Sequence, residues 1–110
     1  VTSPGEASVG APDILATAVV PWTSGGGFDD DRFRRLAATL ANGLTRQLYV
    51  FGKAGEGYAV NDRQFEQIAR AFWGSAQESG VSPMLGIISL SLSTIVDRIQ
   101  LGRDLGFRTF

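Results

Sequence analysis

The chain has 110 residues, 44% of them apolar and 19% charged, room for one small domain of ordinary globular composition. Its net charge of −1 argues against a duplex nucleic-acid binder, which carries a concentrated basic face. Cysteine and histidine are both absent, which excludes disulfides and any Ser-His-Asp or Cys-His mechanism within the chain and removes the two commonest zinc ligand types.

Residues 1–12, rich in Pro, Gly, Ser and Ala without a period, read as a flexible lead-in. They lack the basic-then-apolar pattern of a secretory signal. No apolar stretch approaches the ~18 residues of a membrane span, so a cytoplasmic setting is expected. The first residue is Val1 rather than Met, which fits the expectation that the chain is part of something longer.

The run ILATAVVPW (14–22) is apolar, rich in β-branched residues and ended by Pro21. Its lack of polar alternation predicts a strand buried on both faces. A helix follows, with Phe33, Leu36, Ala37, Leu40, Ala41 and Leu44 on one face. Asp29 or Asp30 is placed to cap it, and Gly43 to end it with a left-handed backbone. The arginines Arg32, Arg34 and Arg35 directly follow three acids, Asp29, Asp30 and Asp31, and read as a solvated helix start.

RQLYVFG (46–52) is the second predicted strand. The second helix begins at Asn61, where Asn61 and Gln64 have capping-box spacing. Its stripe is Phe65, Ile68, Ala69, Phe72 and Ala76, and Gly80 closes it. SPMLGIIS (82–89) is the third strand, with Pro83 near its start. Ser93 or Thr94 is predicted to cap a third helix, with Ile95, Val96, Ile99 and Leu105 on its buried side and Gly106 at its end. FRTF (107–110) reads as the start of a fourth strand.

The order β-α-β-α-β-α-β predicts right-handed βαβ units and a parallel sheet. Both an open doubly wound sheet and part of a (β/α)8 barrel fit. In either, sites form at the C-terminal ends of the strands, where Gly52-Lys53-Ala54-Gly55-Glu56-Gly57 lies. Its glycines permit close backbone approach, so amides could face an anion. The pattern is neither a Walker A loop nor G-x-G-x-x-G. Lys53, the single lysine, could be a Schiff-base former, an anion clamp or a solvated rim residue.

AVVPWT, DDDRFRRL, FGKAGEGYAVNDRQFEQI and SPMLGIISLSLSTIVDRIQLGRDLG, in this order and spacing, together resemble the dihydrodipicolinate synthase / N-acetylneuraminate lyase family. That family has a T-P-F-like segment after the first strand and G-[ST]-T-G-E after the second. A glycine in its third strand precedes an S-T-x-x-x-I/A helix start, as Gly86 and Ser93-Thr94 do here.

The resemblance implies that 13–110 is the N-terminal part of a (β/α)8 barrel, ending in the fourth strand. It implies a lyase or aldolase that forms a Schiff base with pyruvate or a related 2-keto acid, with no cofactor or metal. The full-length protein would be a homo-oligomer, with no nucleic-acid or membrane partner. The Schiff-base lysine and its partner tyrosine would lie beyond Phe110, and Lys53 does not match that lysine. Gly52, Lys53, Ala54 and Gly55 would form the substrate-carboxylate turn, with Glu56 and Pro21 structural beside it. Two departures stand out: Lys53 and Ala54 occupy the family's two hydroxyl positions, and Val20 replaces the usual Thr before Pro21. Lys53 is then expected to add charge at the site mouth. Two other readings are a non-catalytic keto-acid or sugar-acid binder of this fold and a phosphate-binding doubly wound domain.

Overall fold

The apolar runs of the sequence become three parallel strands in the computed structural model, which describes residues 14–43, 45–52 and 57–110. The lead-in through residue 13, Leu44 of the first predicted helix stripe, and Lys53, Ala54, Gly55 and Glu56 lie outside the described residues. In chain order the elements are β1 (Leu15–Thr17), α1 (Asp30–Gly43), β2 (Gln47–Val50), a 3-10 turn (Gly57–Ala59), α2 (Asp62–Ser79), β3 (Ser82–Leu85) and α3 (Leu92–Leu105). The sheet order is β1-β2-β3, every pairing parallel. A parallel bridge between Met84 and Thr109, with the Leu85 N–H donating to the Thr109 carbonyl at 3.0 Å, begins a fourth pairing where FRTF predicts one.

Register assigns the two faces of the sheet. Leu48, Val50 and Leu85 are fully buried and join the helices in one core. Thr17, Tyr49 and Met84, paired across the three strands, point the other way and are half-buried. Leu15 and Val19 remain 43% and 45% exposed. The expected burial on both faces is therefore met on the helix-covered face alone among the described residues.

The helices form where the apolar spacing predicts them. In α1, Phe33, Ala37 and Ala41 are buried, and Asp29, the residue before the helix, accepts the Arg32 N–H at 3.0 Å. The helix ends at Gly43 as predicted, without the left-handed backbone expected there. The α2 stripe is buried as expected. Asn61 Oδ1 accepts the Gln64 N–H at 2.8 Å and Gln64 Oε1 accepts the Asn61 N–H at 2.9 Å, so both halves of the capping box are made. Gly80 ends α2 at φ 68°.

The third helix departs from expectation in two ways. Its cap is Ser91, whose Oγ accepts the Thr94 N–H at 3.3 Å, which puts Ser93 and Thr94 inside the first turn. Its buried residues are Arg98 and Gly102, with Leu101 and Leu105 against the core, while Val96 is 45% exposed. The stripe rotates because Gly102 lets the helix approach Leu85 and Phe110, where a Cβ would collide with both. Gly106 closes α3 at φ 125°, and its missing Cβ makes room for the Trp73 ring.

Aromatic packing joins these elements. Phe33 contacts Phe28 and Phe72 edge-on at 5.4 and 6.1 Å, and Phe107 stacks on Phe72 at 6.0 Å and meets Trp73 at 5.1 Å. Burying each such ring contributes about 1.5–3 kcal/mol, enough to fix how α1, α2 and the end of α3 seat against the sheet.

Candidate functional site

At the C-terminal end of β2 the backbone turns sharply and its carbonyls are almost all engaged. The Tyr49 carbonyl accepts the Ala18 N–H at 2.8 Å, and the Val50 carbonyl accepts the Gly86 N–H at 2.9 Å. The Gly52 carbonyl accepts the Gly57 N–H at 3.2 Å, closing the loop on itself. Between them Phe51, fully buried, has φ 69°. A non-glycine residue held in the left-handed region costs on the order of 1–3 kcal/mol and persists only where its surroundings enforce it.

The surroundings here are two glycines. A Cβ on either Gly57 or Gly86 would lie inside 3.0 Å of the Phe51 carbonyl group, so both chains press directly on that peptide. The Phe51 ring stacks on Phe65 at 4.9 Å with the planes 19° apart. A third close approach is at Gly52, where the Tyr49 ring occupies the space a side chain would need.

Phe65 also carries a charge. The Arg98 guanidinium lies over its ring at 4.6 Å. One Arg98 amino group donates to the Val60 carbonyl at 3.0 Å and the other to the Ile88 carbonyl at 3.3 Å. Val60 ends the loop after β2, and Ile88 lies in the loop after β3. Burial lowers the Arg98 pKa from its ordinary value, against the opposing pull of Asp62, whose carboxylate is 3.9 Å away and exposed.

Of the residues that the sequence nominates, the structure describes two. Pro21 follows β1, and its carbonyl accepts the Asp29 N–H at 3.1 Å, joining the strand exit to the cap of α1. Gly52 follows β2 beneath Tyr49. Both therefore sit at the C-terminal ends of neighbouring parallel strands, where sites form in this architecture. Tyr49, Phe51 and Arg98 are not singled out by sequence reasoning. Tyr49 and Phe51 read as ordinary strand residues, and Arg98 as one charge on a helix. The glycines that follow β2 and β3, Gly57 and Gly86, were the available signal for a tight peptide at Phe51.

Comparison with solved structures then places the whole arrangement. A dihydrodipicolinate synthetase-type protein from Pseudomonas aeruginosa superposes with TM-score 0.83 at 21% identity, over 88% of this chain and 33% of that one. A prophage protein of the dihydrodipicolinic acid synthase family from E. coli K12, solved with pyruvate, gives TM-score 0.82 at 18% identity, over 88% and 32%. A Sulfolobus 2-keto-3-deoxygluconate aldolase, solved with D-KDPG, gives 0.73 at 18%, over 84% and 30%.

The chain has the fold of the dihydrodipicolinate synthase family.

It spans about a third of the length of these structures, and its β/α units are those of the N-terminal part of a (β/α)8 barrel. No protein-family profile matches the sequence and no curated protein matches it, so the likeness is one of structure. Barrel geometry accounts for the two sheet faces: helices ring the outside, and Thr17, Tyr49 and Met84 form a tier on the barrel side. A doubly wound sheet would carry helices on both faces. No helix among the described residues is long and apolar enough to cross a membrane.

Proposed function

We propose that this chain is part of a lyase or aldolase that acts on pyruvate or a related 2-keto acid through a Schiff base. The reacting lysine would be supplied by a strand outside the 110 residues. The observation that carries this reading is the superposition on lyase-type barrels, one of them solved with pyruvate. The close-packed turn after β2 supports it, because a rigid peptide with glycine neighbours suits a backbone site for a carboxylate. In this reading Gly52, Lys53, Ala54 and Gly55 hold the substrate carboxylate, while Glu56 and Pro21 shape the turn. The fragment alone would be inactive, and the full-length protein would be a cytoplasmic homo-oligomer.

The experiment is reductive trapping. Full-length protein treated with pyruvate and borohydride is expected to gain the mass of one reduced pyruvate adduct per chain, on a lysine other than Lys53. No adduct at all would sink the lyase reading, and an adduct on Lys53 would move the reacting lysine into this chain. A second reading is favoured by Lys53 and Ala54 standing where the family resemblance puts two hydroxyls. It keeps the fold and makes the protein a non-catalytic binder of a keto acid or sugar acid. Saturable pyruvate binding without an adduct would support it.

A further inference from the structure

We propose that Arg98 is a positioning residue, a brace that sets the spacing between the loop after β2 and the loop after β3. A guanidinium is a rigid planar fork, and here its two amino groups reach one backbone carbonyl in each loop, Val60 and Ile88. An aliphatic side chain offers no donor, and an ammonium offers its donors from one atom rather than from two nitrogens held apart in a plane. The fork is held flat by the Phe65 ring beneath it, and Phe65 in turn stacks on Phe51, the left-handed residue on which the turn is built. The same two loops meet again at the Phe51 carbonyl through Gly57 and Gly86. Arg98 thus joins α3 to both loops from the helix side, while the glycine contacts join the loops to each other.

The alternative role, a surface ion pair with Asp62, does not fit the geometry. Asp62 is 94% exposed and 3.9 Å away, whereas the Arg98 side chain is 8% exposed. An exposed partner at that distance is screened and contributes little. Hydrogen bonds from a charged donor are among the stronger ones, and here the bond to Val60 is buried and the bond to Ile88 part-buried.

The proposal uses the lyase reading only for its kinetic arm. Hydrogen exchange on the full-length protein needs no ligand. In Arg98→Met, amides of 57–60 and 86–89 are expected to exchange about tenfold faster or more, with α1 unchanged. Arg98→Lys keeps the charge but reaches one carbonyl, so one loop loosens and the other stays protected. Asp62→Asn is expected to match the wild type. If Arg98→Met fails to fold, Arg98→Lys decides the question. Wild-type exchange in both loops of the lysine variant, or acceleration spread equally through α1 and β1, overturns the brace.

With pyruvate as substrate, Arg98→Lys is expected to raise KM about tenfold with kcat held within about twofold, the pattern of lost ground-state positioning. A lower kcat at unchanged KM would mark a loss of folded protein and overturn the positioning role. If the wild type forms no pyruvate adduct, the lyase reading falls while the exchange arms still decide the brace.

Discussion

Phe51 holds a left-handed backbone while its side chain is fully buried, and the two demands have opposite signs. The backbone costs on the order of 1–3 kcal/mol. Losing a buried phenyl ring would cost about 3–5 kcal/mol, so the ring outweighs the strain and a glycine there would be no improvement. The neighbouring glycines are the more sensitive positions. A Cβ on Gly86 would meet the Phe51 carbonyl oxygen at 2.5 Å and the Val50 carbonyl oxygen at 2.8 Å, both backbone atoms that cannot rotate aside. Gly86→Ala is therefore expected to lose about 3 kcal/mol by overpacking, read as a lower urea midpoint at unchanged slope. A variant that melts like the wild type would mean that the turn at Phe51 is free to shift.

Among the elements, α2 is the most completely specified by local sequence. Asn61 and Gln64 close its first turn reciprocally at 2.8 and 2.9 Å, whereas Ser91 caps α3 with one longer bond of 3.3 Å. Asn61→Ala is expected to cost about 1 kcal/mol and Ser91→Ala less, in paired urea melts; equal losses would show that bond count and length at the caps do not govern helix stability here. The caps also explain what could be read in advance. The Asn61–Gln64 box and the Phe65–Phe72 stripe are short-range patterns, so both were legible. In α3 Leu105 packs against the core as its stripe predicts, but the buried residues are Gly102 and Arg98, not the β-branched ones. A glycine pressed on Leu85 and an arginine whose two amino groups reach distant carbonyls are set by tertiary partners, which no helical period encodes. Tyr49 over Gly52 escaped for the same reason, while the positions of Pro21 and Gly52 after β1 and β2 were legible from the strand pattern. Two arginines work at opposite ends of these elements: Arg46 donates to the Ser79 and Gly80 carbonyls below the sheet, and Arg98 to Val60 and Ile88 above it.

Among the described residues the sheet has one finished face and one open face. Leu48, Val50 and Leu85 are sealed beneath helices, while Leu15 and Val19 stay exposed. Beyond β3, Leu90 and Leu92 are almost wholly exposed and largely exposed. An open apolar sheet face is a liability for an isolated domain. Residues 1–110 produced alone are therefore expected to bind an apolar dye and to unfold without a sharp transition. A cooperative melt with no dye binding would instead favour a self-sufficient domain over a barrel part. The strand order β1-β2-β3, with Thr109 already engaging Met84, has a further consequence for synthesis on the ribosome. Each new strand pairs with the one emerging just before it, so the sheet grows along a single edge. Each such parallel pairing still spans a whole crossover, Leu15 with Gln47 and Gln47 with Ser82. A strand therefore waits for its helix before it pairs, and the helix-covered side forms progressively as the chain emerges.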